Sequence, residues 1–81
     1  MKVHVQFYAQ LRDLAGTSES SIEMAEGKTV TDLLEQLYRQ TPALRPHDKA
    51  ILVGVGLEFV ERNYPIKPGE TISIMPPVQG G

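Results

Sequence analysis

Thr29-Val30-Thr31-Asp32-Leu33-Leu34-Glu35-Gln36-Leu37-Tyr38 is the clearest helical stretch in the chain. Val30, Leu33, Leu34, Leu37 and Tyr38 fall at i, i+3, i+4, i+7 and i+8, which lines up one apolar face on a 3.6-residue helix. Thr29 stands where a cap belongs. Asp32, three residues on, reaches back toward it and favours the positive end of the helix dipole. The helix has to stop by Thr41, because Pro42 disfavours the α conformation in the residue before it. A single apolar stripe of this kind needs an apolar sheet face to cover.

Upstream, Lys2 to Ala9 alternates, with Val3, Val5 and Phe7 on one face and Lys2, His4, Gln6 and Tyr8 on the other. That is a half-buried strand of period two. Tyr8 is out of character on the polar face. Leu11, Leu14 and Ala15 then sit at helical spacing before Gly16, which predicts a short helical turn. Ser20 to Ala25 puts Ile22 and Met24 on one face and is expected to pair with the first strand. Downstream, Thr41 to Asp48 is expected to be a loop broken by Pro42 and Pro46. Ala50 to Val55 is an apolar run of strand length, and Leu57 to Val60 a short one. Asn63-Tyr64-Pro65 and Lys67-Pro68-Gly69 are turn chemistry. Thr71 to Met75 forms the last strand, with Ile72 and Ile74 inward and Thr71, Ser73 and Met75 outward.

A hairpin, a capped helix and a closing strand in so few residues point to an α+β mixed sheet with one helix across one face. If the first and last strands lie side by side and parallel in the middle, their C-terminal ends meet. Tyr8 and Met75 then neighbour each other on the uncovered sheet face, at the root of Met75-Pro76-Pro77-Val78-Gln79-Gly80-Gly81. In that ending two prolines hold the chain extended. Two glycines give a tip slim enough for a channel that rejects side chains. A frayed, inert tail fits the same residues about as well.

The 81 residues leave room for one domain and one core, and burial at this size is modest. With 41% hydrophobic and 22% charged residues the composition is that of a globular domain. The net charge of −2 and the scattered Lys and Arg argue against a nucleic-acid surface. The count of 0 cysteines excludes disulfides, thiolate metal sites and a cysteine nucleophile, and fits a cytoplasmic setting. No stretch has the roughly eighteen apolar residues of a membrane span, and no signal-peptide pattern precedes the first strand.

Several segments that hold reactive residue types lack the partners that chemistry needs. His4 and His47 lie far apart with no carboxylates gathered about them, so no metal site is expected. Gly54-Val55-Gly56 lacks the third glycine and the strand-to-helix context of a dinucleotide loop. Ser18, Ser20 and Ser21 have no base placed to activate a hydroxyl. Glu58, Glu61 and Glu70 are expected to be solvated, with one or two of them free to pair with a basic partner rim.

With the residues laid out, the chain resembles the ubiquitin-like β-grasp sulfur carriers, and among them the small subunits of molybdopterin synthase. The similarity covers nearly the whole sequence. Its most specific pieces are Phe7-Tyr8-Ala9-Gln10-Leu11-Arg12-Asp13-Leu14-Ala15-Gly16-Thr17 and Met75-Pro76-Pro77-Val78-Gln79-Gly80-Gly81. Thr29 to Leu34 matches the helix start of the family. Val55-Gly56-Leu57-Glu58-Phe59-Val60 matches a strand-loop-strand passage, with Gly56 where the family commonly has Asn.

The resemblance implies a β-grasp mixed sheet of about five strands over residues 1–75, with one main helix on one face. Residues 76–81 would form a protruding tail. It also implies that Gly81 is adenylated, using ATP bound by a ubiquitin-activating-like adenylyltransferase, and then thiocarboxylated from an indirect sulfur donor. Pro76, Pro77, Val78, Gln79 and Gly80 would enter the partner. Fully extended, Pro76 to Gly81 reach about 20 Å. Docked on the large subunit of molybdopterin synthase, in an assembly of two of each chain, the carrier would pass its sulfur to precursor Z. The carrier itself would be non-catalytic and hold no stable cofactor or metal. By position Tyr8, Phe59 and Met75 match the contact patch of the family, with Phe59 only narrowly favoured for the patch over the core.

Other readings stay open. A carrier for thiamine or another pathway shares the diglycine but matches the front motif and the Pro-Pro stem less well. A ubiquitin-like modifier would join Gly81 to lysines. A plain binding module would make no use of the tail.

Overall fold

The computed structural model describes residues 1–77. Strand β1 (Lys2–Phe7) keeps the alternation of its sequence, with Val3, Val5 and Phe7 buried. It pairs antiparallel with β2 (Glu19–Glu23), placing Val3 opposite Ile22. On its other side it runs parallel to β5 (Thr71–Met75), with Val5 opposite Ile72 and Phe7 opposite Ile74. Strand β3 (Leu52–Val55) lies antiparallel to β5 and carries β4 (Glu58–Phe59), so the sheet order is β2-β1-β5-β3-β4. The first and last strands occupy neighbouring central places and run the same way, as a β-grasp requires.

The turn between β3 and β4 is Gly56-Leu57, and Gly56 has φ of +61°. Glycine takes that conformation without steric cost.

Helix α1 (Gln10–Ala15) stops at Gly16, whose left-handed backbone lets its N–H donate to the carbonyls of Arg12 and Asp13. Helix α2 (Val30–Gln40) starts as its sequence predicts. The Asp32 carboxylate accepts from the Thr29 backbone N–H at 2.9 Å and from the Thr29 hydroxyl at 3.1 Å. Val30, Leu33, Leu34, Leu37 and Tyr38 are all buried. They pack with Val3, Val5, Phe7, Ile72 and Ile74 in one core. Each such Leu or Ile contributes on the order of 2 kcal/mol by leaving water.

Residues 42–50 depart from the expected loop. Pro42–Ala50 is a run of 3-10 turns. Pro42 sits at the start of the run, where its missing N–H leaves nothing unpaired. Leu44 donates its N–H to the Thr41 carbonyl and buries its side chain completely. That one apolar anchor gives the segment a reason to close over the core.

A polar cluster fastens the far end of the run. The Tyr38 hydroxyl donates to Asp48 Oδ1 at 2.5 Å, and Arg62 Nη1 donates to the same oxygen at 3.0 Å. Arg62 Nη2 reaches the carbonyls of Asp48 at 2.6 Å and Ile51 at 3.0 Å. Burial, reinforced by the Asp48 hydrogen bond, pushes the Tyr38 hydroxyl pKa well up. The Tyr38 hydrogen bond, followed by Arg62, holds the Asp48 carboxyl below its ordinary value.

Glu70, expected in solvent, is instead half-buried and engaged. It accepts from the Tyr64 hydroxyl at 2.6 Å and from the Lys67 N–H at 2.8 Å, because the Lys67–Glu70 turn folds the carboxylate back on itself.

Candidate functional site

Two strand ends build the site. The Tyr8 N–H donates to the Ile74 carbonyl at 3.1 Å, continuing the parallel ladder one residue past β1. Because Ile72 and Ile74 point into the core, Ser73 and Met75 point away from it. Tyr8 follows Phe7 in the same way, and its hydroxyl rests on Gln6 Oε1 at 2.9 Å. Across β5, Leu52 lies opposite Met75 and Gly54 opposite Ser73; across β3, Phe59 lies opposite Gly54. Parity therefore brings Tyr8, Met75, Leu52 and Phe59 to the sheet face that α2 leaves uncovered.

The result is an open groove of about 240 Å³ whose walls include Tyr8, Leu57, Phe59 and Met75, with Gly54 as floor. Its apolar walls are wet. Phe59 is 67% exposed, Tyr8 44% and Leu57 fully so. Phe59 is thus a surface residue and has no place in the core. Side chains of this size gathered on one face form a contact surface, where binding energy concentrates in a few aromatic anchors. Glu58, Ser73 and the Tyr8 hydroxyl are its polar members. The chemistry available at this face is recognition.

Leu57 and Leu52 belong to this face, and the sequence reading did not single them out. Leu57 had one signal, an apolar residue in a tight turn with no core to reach. Leu52 had another, its parity with Gly54 along β3.

Pro76 leaves β5 half-buried and Pro77 is exposed. Together with Ala9, Gln10 and Ala50 they line a second groove of about 610 Å³ at the root of the tail. Val78, Gln79, Gly80 and Gly81 lie outside the described residues. Among the described residues no three His, Asp or Glu side chains gather closely enough to hold a metal ion. His4 is exposed and lies 3.4 Å from the Ser21 hydroxyl. No helix among the described residues is long and apolar enough to cross a membrane.

The model of the ThiS family matches residues 5–81, which is nearly all of the sequence. The chain belongs to the ThiS family. Within reach of this ThiS-family chain are curated relatives with a common name. The molybdopterin synthase sulfur carrier subunit of Chlamydomonas reinhardtii is 31% identical over 83 residues, covering 100% of both chains. Its counterpart from Escherichia coli (strain K12) is 32% identical, covering 98% of this chain and 99% of the relative.

Solved structures agree on the β-grasp fold. A molybdopterin converting factor subunit 1 from Pyrococcus furiosus superimposes with a TM-score of 0.87 at 29% identity, over 96% of this chain and 99% of that one. The small archaeal modifier protein 1 from Methanosarcina acetivorans gives a TM-score of 0.80 at 28% identity, over 99% and 96%. A chain in the complex of subunits 1 and 2 of molybdopterin-converting factor from Helicobacter pylori gives 0.70 at 22% identity, over 100% of both chains. At that identity the last shows likeness of fold alone.

Proposed function

We propose that this ThiS-family chain is the sulfur carrier of a molybdopterin synthase, working through a thiocarboxylate on Gly81. The observation that carries the reading is the end-to-end likeness to a molybdopterin synthase sulfur carrier subunit, which spans 100% of both chains. The apolar groove of Tyr8, Phe59 and Met75 supports it by offering a docking face at the end of β5, from which the tail departs.

The chemistry asks little of the carrier. A free carboxylate is a poor electrophile. Attack of a Gly81 carboxylate oxygen on the α-phosphate of ATP, with pyrophosphate leaving, gives a mixed anhydride. Hydrosulfide released by an indirect donor then attacks the carbonyl carbon, AMP leaves, and loss of the proton gives the thiocarboxylate. ATP and the catalytic groups belong to a ubiquitin-activating-like adenylyltransferase. The carrier docks next on the large subunit of molybdopterin synthase, in an assembly of two of each chain, and yields its sulfur to precursor Z in the cytoplasm. With 0 cysteines in the carrier, the sulfur has to be supplied from outside.

The test is intact-mass spectrometry after incubation with a cognate activating enzyme, ATP and a sulfur donor. Exchange of one terminal oxygen for sulfur is expected. An unchanged mass with an enzyme that modifies its own carrier would sink the proposal. A second reading, protein modification, draws on the fold shared with the Methanosarcina modifier. It predicts covalent conjugates through Gly81 to lysines of other proteins, which the same spectra of a treated lysate would reveal.

A further inference from the structure

The chain holds 3 methionines and 0 cysteines, so its side-chain sulfur is thioether throughout. Two of the three thioethers are enclosed. Met24 is 6% exposed within the core, and the side chain of Met1 is likewise 6% exposed. Met75 differs from both. It is half-buried, stands outside the core cluster and lines the open groove with Tyr8, Leu57 and Phe59. Parity puts it there. Ile74 points inward, so the next side chain along β5 points outward and lies over the backbone of Gly54.

A thioether so placed makes one wall of an apolar groove chemically variable. A peroxide is the class of oxidant required. The lone pair of Sδ attacks one peroxide oxygen, the O–O bond breaks, and after proton transfer water leaves. Sulfur is oxidised by two electrons, the peroxide is reduced by two, and the product is a sulfoxide. It keeps the reach of methionine but adds a strong hydrogen-bond acceptor. Of the polar side chains in the groove, the Tyr8 hydroxyl already donates to Gln6 Oε1 and the Glu58 carboxylate only accepts. Ser73 alone is left to serve the new oxygen. In the free chain water satisfies it. Beneath an apolar partner that water is lost, a penalty that the unoxidised thioether does not carry.

We propose that Met75 is a redox-sensitive modification site that switches the docking face. The thioether leaves the groove open to an apolar partner, the sulfoxide closes it, and a thiol-dependent methionine sulfoxide reductase reopens it. The effect on docking rests on the carrier reading above; the selective oxidation of Met75 and the polarity of the groove do not.

The experiment treats the full chain and a Met75→Leu variant with dilute hydrogen peroxide at neutral pH. Peptide mass spectrometry should find the added oxygen on Met75, while Met1 and Met24 keep their thioethers until denaturant is added. Retention on a hydrophobic-interaction column reports how apolar the exposed face is, and the oxidised parent should elute earlier. Titration calorimetry with the proposed large-subunit partner should show affinity lowered by about tenfold, the cost of one poorly satisfied acceptor. Methionine sulfoxide reductase with a thiol reductant should restore both readings. Met75→Leu sets its own baseline, which peroxide should not move.

Oxidation of Met1 or Met24 as fast as Met75 in the folded chain overturns the inference. So does retention or affinity that Met75 sulfoxide leaves unchanged, or a peroxide response that persists in Met75→Leu. If the untreated parent does not bind the large subunit, the carrier reading fails, while the oxidation map and the column still decide this one.

Discussion

Cε of Met75 lies across the backbone of Gly54, 3.1 Å from where a Cβ on that residue would stand. The two residues belong to neighbouring strands, β5 and β3, and the missing side chain on one gives the other room to lie down. The same missing side chain forms the floor of the apolar groove. Alanine at this position would meet the free end of a flexible side chain, so Met75 can lift away at small cost. Gly54→Ala is expected to change stability by less than about 1 kcal/mol, since strand entropy offsets the crowding. Affinity for the proposed large-subunit partner is expected to fall about tenfold, the equivalent of about 1.4 kcal/mol. Urea unfolding and titration calorimetry measure the two effects separately. Unchanged affinity would show that the floor of the groove makes no contact.

Phe59 and Leu57 are the most exposed large apolar residues described, and neither supports the core. Truncation of either to alanine should leave stability within about 0.5 kcal/mol of the parent. Phe59→Ala should nonetheless weaken docking by about 2 kcal/mol, the cost of losing an aromatic anchor. Tyr8→Asp should do at least as much, by placing a charge at the mouth of the groove. A Phe59→Ala chain that unfolds more readily than the parent would return Phe59 to a structural role.

How far the sequence reveals this molecule depends on how regular each segment is. The alternation in β1, the stripe on α2 and the Thr29–Asp32 pair are periodic or local signals, and each is realised in the fold. Tyr8 and Met75 were visible as residues of the wrong character for their parity, and topology then brought them together. Leu44, Ile66 and Arg62 were not legible. Leu44 and Ile66 are single apolar residues in irregular segments, each fully or almost fully buried, and one residue has no period. Arg62 draws its role from Asp48 and Ile51, distant in sequence, which only the folded chain places within reach of its guanidinium.

Leu44 is the hydrophobic anchor of the 3-10 run, with 0% of its surface exposed. Leu44→Ala should cost about 3 kcal/mol, combining lost transfer energy with the cavity left behind. In an 81-residue chain that loss should lower the thermal midpoint by well over 10 °C, or about 4–8 °C per kcal/mol. Calorimetry of the purified variant checks it. A loss below about 1 kcal/mol would mean that the run collapses onto the core without its anchor.

Asp48 gives the fold an acid-sensitive joint. Its carboxyl pKa is lowered from 3.8 by the Tyr38 hydrogen bond and then by Arg62, so the folded chain holds fewer protons than the unfolded one just below that value. The stability it supplies is whole above pH 3.8 and drains away as pH falls through the lower native pKa. Tyr38 governs the opposite limb. Its pKa is raised from 10.0, so its contribution is whole below that pH and is lost as pH rises beyond it. The Asp48 carboxylate is 43% exposed and Arg62 37%, so solvent screening limits the acid effect to about 1 kcal/mol. Asp48→Asn should therefore unfold at lower urea than the parent at neutral pH, and the two midpoints should converge as pH falls through the lowered native pKa of Asp48. Arg62→Met should narrow the same gap without closing it, because the Tyr38 hydrogen bond remains. Parallel midpoint curves for parent and Asp48→Asn across the acid range would show that this joint does not titrate with folding.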